Sequence, residues 1–144
     1  MCLITEQKRV KILKEDLTVY KRFYQDPDGR ILPWNPEFRD KITYEVREIH
    51  KQPLKVDNNL KSIYDRHVGY AYNLKNPIYC WPIALKLTHI HEGFHAVLTY
   101  ERLNKRAYED YVDYVCTIPK GSRVFTDKTG LIVSDTIILK EKIK

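Results

Sequence analysis

Hydrophobic and polar residues alternate along much of the chain, as they do in half-buried β-strands. Residues 17–24 follow this pattern and are rich in β-branched and aromatic residues, and residues 42–46 repeat it more briefly. Residues 83–91 predict a third strand. In the last third of the chain the pattern predicts strands at 112–118, 123–126, 131–134 and 136–139, with turns at 119–121 and 127–130.

One segment has the spacing of an amphipathic helix. Thr99 is a suitable N-cap for a helix over about residues 99–110, in which Tyr100 and Leu103 begin an apolar stripe. A weaker helical pattern covers residues 58–67. The sequence therefore predicts an α+β fold: a single compact domain, mainly antiparallel sheet, with one clear helix and a second, short one.

The length of 144 residues suits one domain with one core. We expect residues 1–15 to form a basic N-terminal arm, residues 16–140 the α+β domain and residues 141–144 a basic tail. No apolar run reaches the roughly 20 residues that span a bilayer, and the first residues lack a signal-peptide core. The cysteines are widely separated and odd in number, which predicts neither a disulfide framework nor a zinc module. These features predict a cytoplasmic protein.

The net charge of +6 and the aromatic content both favour an anionic partner. The chain has 11 Tyr and 2 Trp, several of them beside Lys or Arg, as in residues 20–24. Aromatic side chains stack on bases while neighbouring cations hold phosphates. The same interleaving also suits ordinary strands, and both interpretations stay open.

Three histidines close together are the candidate catalytic or metal-binding group. Alternation in a strand places His89 and His91 on one face, with their backbones about 7 Å apart, and His95 follows four residues later. Three imidazoles with a water in the fourth position form an open zinc site. Histidines at a strand end are explained more simply by hydrogen bonds to backbone. The metal site is therefore an alternative, and no cofactor is predicted.

Motifs of the common enzyme classes are absent from the sequence. Paired His-x-Thr/Ser elements, a G-x-S-x-G elbow, a Gly-Lys-Ser/Thr phosphate loop and a G-x-G-x-x-G loop are all missing. Residues 119–122 (PKGS) could hold a phosphate but are better explained as a type I turn, with Pro119 at its second position and Gly121 at its fourth. Cys116 is predicted to be a small core residue.

Short segments at the start and in the last third carry a resemblance. They are residues 1–3 (MCL), 93–96 (GFHA) followed by Thr99 and Glu101, 116–122 (CTIPKGS) and 134–139 (SDTIIL). In these segments the chain resembles a loose family of short, mostly uncharacterised proteins of bacteriophages, prophages and gut bacteria. The resemblance implies a phage or mobile-element context and no particular reaction.

A second resemblance rests on the strand that ends in Ile-Pro-Lys-Gly at residues 118–121 and on the short strands after it. This C-terminal half is similar to that of ADP-ribosyltransferase domains. That family needs a catalytic Glu near a late strand, whereas residues 130–135 (GLIVSD) contain none. The resemblance implies a cleft for a dinucleotide-like ligand without transferase activity.

Together these features predict a non-enzymatic, phage-encoded binding protein that captures an anionic ligand, either a nucleotide signal of host defence or nucleic acid. The predicted ligand-binding residues are stacking aromatics and basic groups that pair with phosphate: Tyr70, Tyr72, Trp81, His91, His95, Lys120 and Arg123. Two alternatives stay open: a hydrolase or phosphodiesterase centred on His89, His91 and His95, and an inhibitor of a host protein. The oligomeric state stays open, with a homodimer as one option, and no membrane partner is expected.

Overall fold

The computed structural model describes residues 3–5, 7, 9–57, 88–103 and 110–143. Extended segments separated by turns dominate these residues. In the described part of the chain the strands are β1 (Leu3–Thr5), β2 (Lys11–Ile12), β3 (Leu17–Gln25), β4 (Ile31–Pro33), β5 (Ile49–Lys51), β6 (Lys55–Asp57), β7 (Thr88–Glu92), β8 (Phe94–Val97), β9 (Tyr111–Ile118), β10 (Arg123–Thr126), β11 (Leu131–Ser134) and β12 (Thr136–Ile143).

The strands form two antiparallel sheets. The smaller sheet has the order β1-β7-β6, and the larger has the order β2-β10-β11-β8-β3-β9-β12-β5, with β4 also paired to β3. Strand β3 pairs with β9 over eight registered positions, from Leu17 opposite Ile118 to Tyr24 opposite Tyr111. Strands β3 and β9 lie in the interior of the larger sheet, where each has a neighbouring strand on both sides.

The α+β prediction is wrong, because the described structure is an antiparallel β fold in which no helix reaches seven residues. Among the described residues of the predicted helix, 99–103 and 110, Tyr100–Arg102 forms a 3₁₀ turn, Thr99 makes no side-chain cap hydrogen bond and Leu103 is extended at φ −69° and ψ 135°. The Tyr100 hydroxyl donates a hydrogen bond to Asp113 of β9, and its ring packs on Tyr20 of β3. These tertiary contacts override the local helical spacing. The segment 104–109 and the predicted helix at 58–67 lie outside the described residues.

Most strands predicted from alternation are confirmed. The predictions at 17–24 and 112–118 correspond to β3 and β9, and the hairpin at 123–134 corresponds to β10 and β11. The strand predicted at 42–46 is wrong, since Tyr44 and Val46 form only isolated bridges. Of the strand predicted at 83–91, the described residues 88–91 belong to β7.

The turn after β9 differs in register from its prediction. The Ser122 N–H donates to Pro119 O at 3.1 Å, so Pro119 is the first residue of the turn and Gly121 the third. Gly121 has a φ of +89°, a conformation that glycine adopts without the steric penalty of a Cβ. The glycine therefore serves the turn at its third position, although the pattern placed it at the fourth.

The main hydrophobic core lies on one face of the larger sheet. Every second residue of β9 is buried, so Val112, Tyr114, Cys116 and Ile118 share this face. Cys116 has 0% exposure, which confirms its prediction as a small core residue. Because strand residues alternate between faces, the other residues of β9, among them Tyr111 of the candidate site, project to the opposite face.

A second core cluster joins the two sheets. It contains Leu3 and Ile90 from the smaller sheet and Phe125 and Val133 from β10 and β11. Burial of these four side chains holds the smaller sheet against the larger one. The described residues of the expected N-terminal arm therefore supply a strand to each sheet, β1 and β2.

In the part of the chain that the structure describes, no helix has the length and apolar character required to cross a membrane.

Candidate ligand-binding cleft

The cleft forms where β3 changes its pairing partner along one edge. Tyr20 is registered with Val97 of β8, and three residues later Phe23 is registered with Pro33 of β4. Between these two positions, Lys21 and Arg22 have no registered partner on that edge in the described part of the chain. The break between β8 and β4 leaves an opening in the sheet beside β3.

The opening has a volume of about 250 Å³. Its walls come from β3 and β8, from Trp34 directly after β4, from the 3₁₀ turn with Leu103, and from single residues of β9 and β11. In the described part of the chain the lining residues are Tyr20, Lys21, Arg22, Trp34, His95, Ala96, Val97, Arg102, Leu103, Tyr111 and Leu131. The cleft therefore combines aromatic and aliphatic surface with basic groups.

Trp34 and Tyr111 form one aromatic wall. Trp34 follows β4 directly and remains 41% exposed, and its ring lies edge-on to Tyr111 with 6.3 Å between centroids. Arg39 supports this wall, since its Nη2 donates to Trp34 O at 3.0 Å and its guanidinium stacks 3.8 Å from the centroid of Tyr24. Tyr24 in turn contacts Tyr111 edge-on. The indole of Trp34 is thus held in place while keeping surface for a ligand.

Arg22 is neutralised within the protein. Its Nε and Nη2 donate to the two carboxylate oxygens of Asp113 at 2.8 and 3.1 Å, and this paired geometry raises the pKa of Arg22. The Tyr100 hydroxyl donates to the same carboxylate at 3.2 Å, which ties the 3₁₀ turn to β9. Tyr100 also packs on Tyr20 with 5.9 Å between ring centroids. Asp113 therefore links the cation to the turn that closes one side of the cleft.

Arg102 belongs to the same turn and is exposed. None of the ion pairs among the described residues involves its guanidinium. Because Asp113 balances the charge of Arg22, Arg102 contributes a positive charge at the mouth of the cleft that these ion pairs leave unbalanced.

His95 presents an uncharged imidazole to the cleft. Burial and the nearby Lys21 lower its pKa to about 4. Its Nδ1 lies 3.2 Å from Gly93 O, and because a carbonyl only accepts, Nδ1 carries the proton. Nε2 then keeps its lone pair and, although it is buried, has no hydrogen-bond partner among the described residues. His95 can accept a hydrogen bond here but does not act as the cation that the sequence suggested.

Lys21 bridges the break between β3 and β8 with a hydrogen bond. Its Nζ donates to His95 O at 2.6 Å and so joins β3 to β8 where the backbone ladder stops. Nζ also lies 5.7 Å from the centroid of the Phe23 ring. Burial lowers the pKa of Lys21 to about 8.

The structure brings only one of the predicted ligand residues, His95, to the described lining of the cleft. Lys120 and Arg123 lie beyond the opposite end of β9, near β2: the Lys120 N–H donates to Asp16 Oδ1, and Arg123 is registered with Ile12. Tyr70, Tyr72 and Trp81 lie outside the described residues, as does the side chain of His91. These positions remain predictions.

The three histidines belong to different sheets. His89 and His91 lie in β7 of the smaller sheet, whereas His95 lies in β8 of the larger one, and Gly93 at φ +140° separates the two strands. Among the residues that are described, no group of three His, Cys, Asp or Glu side chains is arranged to hold a metal ion. With the His91 side chain outside that set, the three-histidine site remains a prediction.

Sequence reasoning missed most of the cleft. It noticed the aromatic and basic run at residues 20–24 but did not select Tyr20, Lys21 or Arg22 as site residues. A signal was available, because Lys21 occupies an inward position of a strand between Val19 and Phe23. A lysine in the apolar register of a predicted strand is unusual enough to mark a candidate site.

Comparison with known proteins gives no relative for this chain. No family model matches it, and neither a curated protein nor a solved structure shows significant similarity. The resemblances to phage proteins and to ADP-ribosyltransferase domains therefore remain predictions.

Proposed function

We propose that the protein binds a small, flat, anionic ligand, with nucleotides as the first class to test, in the cleft at the break of β3. The observation that carries this proposal is the conjunction of the exposed indole of Trp34 with the cationic groups of Arg102 and Lys21 around one opening. Such a mixture of apolar surface and a few polar groups is typical of ligand pockets.

The aromatic wall suits a planar ring. Trp34 and Tyr111 are fixed by their edge-on contact, and Tyr20 lines the same cleft. A base that stacks on an aromatic side chain gains about 1–3 kcal/mol per base. Because Arg39 already holds the backbone at Trp34, little ordering of this wall is needed when a ligand binds.

The positive charge of Arg102 in the lining of the cleft suits an anionic group on the ligand. Arg102 has no ion pair with the described residues, and a guanidinium binds phosphate or carboxylate in a two-pronged geometry. The net charge of +6 also favours the approach of anions.

His95 adds a condition on the ligand. A buried acceptor without a partner costs about 1–3 kcal/mol, and a donor on the ligand would remove that cost. The preferred ligand therefore carries an N–H or O–H group that reaches Nε2, and its anionic group binds elsewhere in the cleft.

The test is a titration of the protein with mono- and dinucleotides, cyclic nucleotides and ADP-ribose compounds, followed by calorimetry on any compound that raises the melting temperature. For a ligand that stacks, Trp34→Ala should weaken binding at least about 5-fold, which corresponds to about 1 kcal/mol. Phe38→Ala is the matched control, because Phe38 is a similarly exposed aromatic at 37% and is not part of the lining.

Two results would contradict the proposal: no compound in the panel binds, or Trp34→Ala and Phe38→Ala weaken binding equally. The recovered ligand is also analysed by mass spectrometry. An intact ligand agrees with a binding protein, whereas cleavage would favour the alternative enzyme centred on histidines.

A further inference from the structure

Lys21 occupies a position that normally belongs to an apolar residue. Residues 19, 21 and 23 of β3 share one face, and Val19 and Phe23 on either side of Lys21 are both 0% exposed. The proximity of Nζ to the Phe23 ring shows that the side chain follows this inward direction.

Among the described residues, the Lys21 ammonium has no carboxylate partner. Its polar contact among the described residues is the carbonyl oxygen of His95, and no described ion pair includes it. The titratable groups that act on it are Cys116, whose own pKa burial raises to about 12, and His95, whose pKa is about 4. Both are uncharged at neutral pH and leave the ammonium uncompensated. The described polar contact of this buried cation is therefore one neutral carbonyl, with no charged partner among the described residues.

Burial makes this amine more nucleophilic. A lysine with a pKa of about 8 is neutral in roughly a fifth of molecules at pH 7.4, compared with about one in a thousand for an ordinary lysine. Neutral amines add to carbonyl carbons, and lysines in apolar surroundings are activated in this way.

Lys21 is also accessible from the cleft. It lies where β3 has no described registered partner on the edge that faces β8 and β4, and it is one of the residues that line the cleft. A ligand that fills the opening would therefore contact Lys21 together with Trp34 and Arg102, which line the same cleft.

We propose that Lys21 captures a small anionic aldehyde in the cleft as a reversible imine. The neutral amine adds to the carbonyl carbon, the carbinolamine loses one molecule of water, and the carbon–oxygen double bond is replaced by a carbon–nitrogen double bond. No oxidant or reductant takes part. This inference rests on the proposed cleft function and narrows its ligand to compounds that carry a carbonyl beside an aromatic ring and an anionic group.

The test uses pyridoxal 5′-phosphate as the probe, because it combines a flat ring, a phosphate and an aldehyde. The protein is incubated with limiting probe at pH 7.4, the imine is trapped with borohydride, and peptides are mapped by mass spectrometry. We expect Lys21 to be labelled at least about 10-fold faster than Lys41 and Lys120, which are exposed and serve as internal controls. Equal or slower labelling of Lys21 would overturn the proposal.

Two variants separate capture from folding. Lys21→Met should remove the fast labelling, and its melting temperature reports whether the variant folds. Lys41→Arg should leave the labelling of Lys21 unchanged. If Lys21→Met fails to fold, the internal comparison in the wild-type protein still decides the question.

Failure of this inference is distinguishable from failure of the proposed nucleotide function. Nucleotide binding that depends on Trp34, together with slow labelling of Lys21, overturns the imine alone. Fast labelling of Lys21 without any nucleotide binding supports the imine and replaces nucleotides by carbonyl compounds as the ligand class.

Discussion

The imidazole of His95 is held neutral by its surroundings. Burial disfavours the imidazolium, and the Lys21 ammonium nearby disfavours it further, so the pKa falls to about 4. Gly93 O then selects the tautomer with the proton on Nδ1. The sequence shows only that a histidine is present, because its charge and tautomer depend on residues brought to it by the fold.

This pKa makes the stability of the protein depend on pH. The pKa of His95 is about 4 when folded and close to its ordinary value of 6.5 when unfolded, so between these values the unfolded chain binds more protons. Stability present above pH 6.5 is lost as the pH falls towards 4. Relative to His95→Gln, the wild-type protein should lose roughly 2 kcal/mol between pH 7 and pH 5.

Urea unfolding of both proteins at pH 7 and pH 5 measures this difference. All other titrating groups are common to the two proteins, so their contributions cancel. A difference in the free energy of unfolding that is the same at both pH values would show that burial does not perturb His95.

At the scale of elements, the link between β7 and β8 transfers the chain from one sheet to the other. Gly93 makes this link at φ +140°, a conformation that side chains rarely allow. A Cβ at this position would lie 2.5 Å from Val133 Cγ1 and 2.6 Å from Leu54 Cδ2. Glycine is therefore required here both by the backbone and by the close approach of neighbouring side chains.

Gly93→Ala should consequently destabilise the protein more than Gly29→Ala. Gly29 also has a positive φ, at +86°, but a Cβ there would meet nothing within 4 Å. We expect about 1 kcal/mol of destabilisation for Gly29→Ala from backbone strain and about 3 kcal/mol for Gly93→Ala from strain with overpacking. Urea unfolding of the two variants measures both free energies of unfolding. Equal decreases would mean that the side chains of Val133 and Leu54 move away from a Cβ at position 93 without a measurable energetic cost.

At the scale of the whole molecule, the N-terminal segment is part of the folded body. Gln7 donates to Val124 O and accepts from the Thr126 N–H, and the Thr5 hydroxyl donates to Thr126 O. Leu3 is 1% exposed in the cluster that joins the two sheets. A basic segment that resembles a solvated arm in the sequence is therefore fixed along β10.

Leu3→Ala should destabilise the protein by about 2–4 kcal/mol, since it removes buried methyl groups from this cluster. Ile12→Ala is the matched control near the same end of the chain, because Ile12 is 53% exposed, and it should cost less than about 1 kcal/mol. Thermal and urea unfolding report both values. A negligible loss for Leu3→Ala would mean that the segment is not packed on the sheets.

Much of the strand content could be predicted from the sequence, whereas little of the cleft could. Alternation located β3 and β9 and the inward face of Cys116, because side-chain direction in a strand has a period of two and follows from the local backbone. The 3₁₀ turn at Tyr100 was mistaken for the start of a helix, because helical spacing over three or four residues does not reveal that Tyr20 and Asp113 bind the tyrosine.

The sequence by itself determined that β3, β9, β10 and β11 extend, that a turn joins β10 to β11 and which side of β9 is apolar. Only the tertiary structure decided that β3 pairs with β8 at Tyr20 and with β4 from Phe23 onwards. It also decided that Lys21 lies at the break between these pairings and that Trp34 lines the same opening. The physical reason is that side-chain direction depends on neighbouring residues in the chain. Strand pairing depends on competition between segments far apart in sequence, and the cleft is a product of that competition.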